Sequence, residues 1–240
     1  MNPNLEMQVN KTQLGLYTVA YGRKEAPLDV QEAAFAVNNL GMVSPAELGF
    51  LRTQGPKNTF NPYSRTNADV FYDDRRNLVV IVPGGEISKL VGIANLVTAH
   101  DKGQEYILPE NKRDLVYARV DEMLEEGTAF TANHGQTEVE TLDFGKNELT
   151  SRLFSDERLG IKAQDYGDFL QGQEREIQAI ILDNGDYAKS QKGPYLNRLR
   201  FLGPGSGFVV GGDSRDLNDS FLGAFGVRFE KTAEGGGAKK

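Results

Sequence analysis

The period of the apolar positions changes repeatedly along the chain, and the changes divide it into elements. LGLYTVAY (Leu14 to Tyr21) has the aromatic and β-branched content of a strand. Beyond Pro27, EAAFAVNNLG predicts a helix with Val30, Ala33, Ala34 and Val37 on its inner face and Gly41 as its stop. Ser44-Pro45-Ala46-Glu47 supplies an N-cap, a first-turn proline and an N3 glutamate, so a second helix should start there and run to Gly55. Pro56 to Asn67 reads as loop. ADVFYD and LVVIVP around the polar DRRN turn predict a β-hairpin.

Leu90, Val91, Ala94 and Val97 recur at helical spacing, predicting a helix from Ile87 to His100. EYIL should be a short strand, and Asn111 to Glu126 a helix with Leu115, Val116, Val120, Met123 and Leu124 inward and Gly127 at its end. Between them Pro109 fixes its own φ and disfavours helix at Leu108, so strand ends and helix begins at one point. Farther on, Asn147 to Phe154 predicts a short helix and REIQAIILD a strand. The glycine-rich segments LNRLRFLG, GFVVGG and GAFGVRFEK read as strands, and TAEGGGAKK as a flexible tail.

The stretch IANLVTAHDKGQEYILPENKRDLVYARV resembles the C-type lectin-like fold of the formylglycine-generating enzyme group. There, a helix with an Ala-Asn-Trp-Leu core precedes glycine, a Tyr-Arg-Leu-Pro-Thr strand and a Glu-Trp-Glu-Tyr-Ala helix. Ala94-Asn95-Leu96, Gly103, Tyr106-Ile107-Leu108-Pro109 and Leu115-Val116-Tyr117-Ala118 occupy the corresponding places, and Phe225-Gly226-Val227-Arg228-Phe229 resembles the strand that closes the fold. The resemblance covers roughly the second half of the chain. It implies an α+β chain with a C-type lectin-like fold: two main helices, short antiparallel sheets and a glycine-rich C-terminal ligand-binding region. The expected organisation is an N-terminal elaboration (1–67) packed on the main domain (68–231), then a tail (232–240).

Composition decides what such a scaffold can do. With no cysteine among 240 residues, thiolate nucleophiles and disulfides are absent, and with them the cysteine chemistry of the formylglycine-generating enzymes. His100 and His134 are the only histidines, too few for the iron-dependent relatives that make sulfoxides. The family's tryptophans are replaced by Leu96 and Leu115, and the threonine after Leu-Pro by Glu110. A net charge of −7 without a basic patch argues against nucleic acid as a partner. No apolar run approaches the roughly 18 residues of a membrane span, and the polar N-terminus lacks the apolar core of a signal peptide.

Within the C-type lectin-like class, the chain resembles the variable proteins of diversity-generating retroelements. In that family adenines of a template are randomised during copying into the 3′ end of the gene, chiefly in asparagine codons, which never yields Lys, Glu, Gln, Met or Trp. Gly193 to Phe229 contains none of these, and Lys192 and Glu230 bound it. Asn58 to Gly85 lacks them too, but only the later window abuts the Gly-Val-Arg end. The resemblance implies a non-enzymatic protein that binds a protein ligand, displayed on a cell or virus surface, without cofactor or metal. Leu199, Phe201, Phe208, Val209, Phe225, Val227 and Phe229 are the expected scaffold. Arg198, Arg200, Leu202, Pro204, Ser206, Asp213, Arg215, Asp216, Asn218, Asp219, Ser220 and Leu222 are the expected exposed ligand-binding positions. Their mixture of Arg, Asp and isolated apolar residues suits a protein surface.

Rival sites are weaker. Gly203-Pro204-Gly205-Ser206-Gly207 lacks the lysine and hydroxyl of a phosphate loop. Asp213, Asp216 and Asp219, with Asp183 and Asp186, offer oxygen ligands for calcium or a metal-assisted enzyme, though the Glu-Pro-Asn partner motif of calcium-dependent lectins is missing. The remaining alternatives are a divergent enzyme of the formylglycine-generating group and a structural adhesin or tail module.

Overall fold

The computed structural model describes residues 5–59, 64–95, 97, 106–133, 135–182, 193–201, 209–211 and 223–232. In chain order its elements are β1 (Asn10–Leu14), β2 (Tyr17–Glu25), α1 (Leu28–Val37), β3 (Gly41–Met42), α2 (Pro45–Gln54), β4 (Ser64–Asp73) and β5 (Leu78–Val82). Then come α3 (Glu86–Val91), β6 (Tyr106–Ile107), α4 (Glu110–Glu125), β7 (Phe130–Ala132), β8 (Gly135–Glu140) and α5 (Glu148–Phe154). Last are α6 (Ala163–Gly172), β9 (Ile177–Leu182), β10 (Tyr195–Phe201), β11 (Val209–Gly211) and β12 (Gly223–Lys231).

The strands form one sheet in the order β1-β2-β12-β4-β10-β11-β9-β8, with β3 on β12, β5 between β4 and β7, and β6 on β10. Alternation along β5 and the second half of β4 sends successive side chains into two cores, and shows why β5, LVVIV, is wholly apolar. Val70, Val79 and Ile81 enter one core with α2, α5 and α6 through Leu48, Leu51, Phe154 and Leu170. Phe71, Val80 and Val82 enter a second core with α1, α3 and α4 through Phe35, Ile87, Val116 and Met123. A strand covered on both faces has no polar side to show, so its sequence reads as a continuous run. The expected short sheets are thus one continuous sheet. The boundary expected between 67 and 68 falls inside β4, and β2 pairs with β12 along its whole length, from Tyr17↔Lys231 to Glu25↔Gly223.

Several local readings hold. Ser44 Oγ accepts from Glu47 N at 3.1 Å while Glu47 Oε2 accepts from Ser44 N at 2.8 Å, completing the capping box at α2. Asn147 Oδ1 caps α5 by accepting from Thr150 N at 3.2 Å. Leu108 is fully buried between β6 and α4.

Others are corrected. The strand expected over 14–21 turns back at Gly15, whose φ of +56° makes the β1–β2 hairpin and leaves Leu16 exposed. α1 buries Leu28, Gln31, Ala34 and Phe35, not Val37, and ends at Asn38–Asn39 before Gly41. Asn39 tolerates the left-handed turn that stops it. The helix expected from Ile87 to His100 is interrupted at Gly92, with φ +92°, and Ile93 to Asn95 and Val97 are helical beyond it. Leu115 lies on the outer face of α4. Asn67, expected in a loop, lies within β4. Elements β1, β7, β8 and α6 were not legible.

Candidate functional site

β10 is the first strand of the window 193–229 and runs beside β4, β6 and β11. Neighbours on both sides and helices on both faces leave its first five residues no solvent: Tyr195 to Leu199 are all buried. Tyr195 stacks on Tyr72 with ring centroids 5.1 Å apart, and Leu196 and Leu199 enter opposite cores. At the far end of the window, Phe225 and Val227 of β12 are buried, and Phe229 packs against Tyr17 and Phe50 with centroids 6.0 Å from each. The scaffold positions Phe201 and Val209 lie in β10 and β11. Phe208 lies outside the described residues.

Arg198 is the correction that matters most. Expected outside, it is 2% exposed, because the face that would carry an alternate polar residue to solvent is covered by α1 and α3. Its Nε lies 3.1 Å from Asp69 Oδ1 on the neighbouring strand, and its Nη2 donates to Glu32 Oε1 of α1 at 2.8 Å. Asp69 is completely buried and also accepts from Ser88 Oγ at 2.6 Å and Ser88 N at 3.0 Å. Burial pushes the Asp69 carboxyl above its ordinary range, while Arg198 and the Ser88 donors pull it back. The guanidinium lies so close to Gly85 that a Cβ there would stand 2.6 Å from Nη1. This cluster joins β4, β10, α1 and α3, and Arg198 belongs to the scaffold.

Arg200 faces Gly211 and Arg65 from β10, with its side chain outside the described residues. Leu202, Pro204, Ser206, Asp213, Arg215, Asp216, Asn218, Asp219, Ser220 and Leu222 also lie outside them, as do His100, His134, Asp183 and Asp186. In sequence, 202–208 connects β10 to β11 and 212–222 connects β11 to β12. Both connecting segments are therefore bounded in sequence by strands held inside one sheet. Among the described residues no cluster of acids and histidines could hold a metal ion, and no helix is long and apolar enough to cross a membrane.

Glu32, Asp69 and Ser88 were missed as partners of Arg198. The trace in the sequence was Asp69, an acid set beside the apolar run of ADVFYD.

No protein-family model and no curated protein matches the sequence. Among solved structures, the chain is similar to a protein described under "Accommodation of massive sequence variation in Nanoarchaeota by the C-type lectin fold". The TM-score is 0.52 at 11% identity, covering 90% of this chain and 99% of that one. With the α+β architecture, the sheet of twelve strands among the described residues and the closing β12, this likeness shows that the chain has a C-type lectin-like fold.

Proposed function

We propose that the chain is a non-enzymatic ligand-binding protein, the variable product of a diversity-generating retroelement, whose changeable surface lies in 200–222 and recognises a protein on a cell or virus surface. The observation that carries this reading is the window Gly193 to Phe229, free of Lys, Glu, Gln, Met and Trp and ending in the closing strand. Its support is a scaffold of the kind that, in the nanoarchaeal protein, accommodates massive sequence variation. Arg200, Leu202, Pro204, Ser206, Asp213, Arg215, Asp216, Asn218, Asp219, Ser220 and Leu222 are the contact positions. Arg198 is withdrawn from them because it is buried.

The test is the DNA flanking the gene. A near-copy of the segment encoding 193–229, differing almost only at its adenines and lying beside a reverse transcriptase gene, is expected. The absence of any such copy refutes the retroelement origin. If differences fall on the codons of Leu199, Phe225 and Val227, the assignment of those positions to scaffold is wrong.

A further inference from the structure

The sheet ends at β8, and among the described residues no strand pairs with its outer edge. Antiparallel pairing with β9 uses the N–H and C=O groups of every second β8 residue, so the residues between direct theirs away from the sheet. An open edge of this kind is a template for one more strand, and folded proteins either cover it or guard it.

The side chains along the edge divide by face. Val139 is buried in the core that also takes Ile180 and Leu182 of β9. Gln136, Glu138 and Glu140 are exposed on the opposite face, in register with Ile181, Ala179 and Ile177. Gln136 Nε2 donates to Glu138 Oε1 at 2.7 Å, and no cation among the described residues pairs with Glu138 or Glu140. Beyond Glu140 the edge turns apolar, where Ile177 and Leu142 are 52% and 59% exposed. Thr141 N donates to Glu176 O at 2.8 Å, which keeps Leu142 beside the start of β9.

These acids decide which strand can dock. A second copy of β8, paired antiparallel across a twofold axis, would set glutamate against glutamate, and like charges directly opposite are destabilising. A strand with Lys or Arg at alternate positions turns the same charges into cross-strand pairs. An apolar residue two places farther along such a strand covers Leu142 and Ile177.

We propose that β8 is a docking edge for an extended basic segment of a partner protein, which joins the sheet as its next strand with Lys or Arg opposite Glu138 and Glu140 and an apolar residue against Leu142 and Ile177. Main-chain hydrogen bonds supply the affinity and the alternate side chains the specificity. β8 and β9 lie outside the window 193–229, so the inference stands whether or not the retroelement reading does.

The test is fluorescence anisotropy with the fluorescein-labelled, amidated peptide Leu-Thr-Lys-Val-Lys-Thr-Leu. Beside it run its glutamate counterpart and the isomer Leu-Thr-Val-Lys-Lys-Thr-Leu, which keeps the charge but puts the lysines on opposite faces of a strand. Saturable binding of the alternating lysine peptide alone, weakening with salt, is expected. Glu138→Gln and Glu140→Gln should each weaken it about threefold, the scale of one cross-strand charge pair. Both side chains are exposed, so both variants should melt with the wild type. N-methylation of one alternate set of peptide amides should abolish binding, and of the other set leave it. No saturable binding, equal binding of the isomer or the glutamate peptide, unchanged affinity in both glutamine variants, or equal effects of the two N-methylated sets would overturn the proposal. Sedimentation of the free chain as a dimer that excludes the peptide would give the edge to a second copy and overturn it as well.

Discussion

Replacing Arg198 by Met keeps most of the side chain's length and removes its charge. In the wild type that charge meets Asp69 at 3.1 Å with the Arg198 side chain 1% exposed and the Asp69 side chain 0% exposed. The variant leaves the Asp69 carboxylate buried with the two Ser88 donors and the backbone of Ile87. Removing one partner of a buried pair costs about 3–5 kcal/mol, and the surviving donors place this case near the lower end. Glu32, 22% exposed, regains water and adds little. About 3 kcal/mol is a large part of the roughly 5–15 kcal/mol that stabilises a typical domain. Divided by a slope of about 1–3 kcal/mol per molar, it should lower the urea midpoint by about 1–3 M. The double variant Arg198→Met with Asp69→Leu removes both charges and should recover most of the loss.

The sign of the pH effect gives a second check on the same pair. Without Arg198, the already raised Asp69 carboxyl rises further, so the penalty for burying its charge grows as pH climbs through and above the unfolded value of about 3.9. The deficit of Arg198→Met against wild type should therefore shrink as pH falls toward 4. Equilibrium urea unfolding at neutral pH and near pH 4 measures both effects. A neutral-pH deficit under about 1 kcal/mol, or one unchanged by pH, would refute the assignment of Arg198 as a buried ion-pair partner.

Gly226→Ala should destabilise by about 1–3 kcal/mol, because the new methyl would lie 2.4 Å from the buried Phe35 ring; an unchanged thermal midpoint would show that α1 can yield there. Ser44→Ala removes the α2 cap and should cost about 1 kcal/mol in chemical denaturation, with the secondary structure intact by circular dichroism. Burial raises the Asp73 carboxyl, but Arg75 and Arg76 outweigh it and hold the carboxyl below its ordinary range. That stability is present above about pH 3.9 and lost as pH falls through the folded value. Asp73→Asn should thus melt lower than wild type at pH 7 and show a flatter acid limb when melting temperature is followed against pH.

Much of the fold was legible where local chemistry and tertiary demand agree. LVVIV reads as one arm of a hairpin and is one, and Ser44 and Glu47 satisfy each other across a single helical turn. The misreadings arise where tertiary contacts override pattern. Gln31 occupies the inner face of α1, where Val37 was expected, because its Nε2 donates to Lys24 O. α6 escaped notice partly because of Gly167 in its middle. That glycine is required by packing, since a Cβ there would come 2.4 Å from Thr141 O. Arg198 looked like the polar half of an alternating strand, and nothing local announces that the face it points to is roofed by two helices. The register shift between β4 and β10 at Thr66 to Ala68 depends on a strand far away in sequence, so nothing local could show it.

The pairing of β2 with β12 joins two strands far apart in the chain, the second synthesised long after the first. Until Gly223 to Lys231 have left the ribosome, β2 lacks its long partner on one edge, and such distant pairings form slowly. A stop codon or frameshift anywhere in 193–222 would delete or scramble this closing strand. The product would then expose a sheet edge and the apolar surface beneath it, the features by which proteases and chaperones remove unfolded chains. The late closing strand thereby proofreads the reading frame: only a message read in frame through Lys231 yields a protein that lasts.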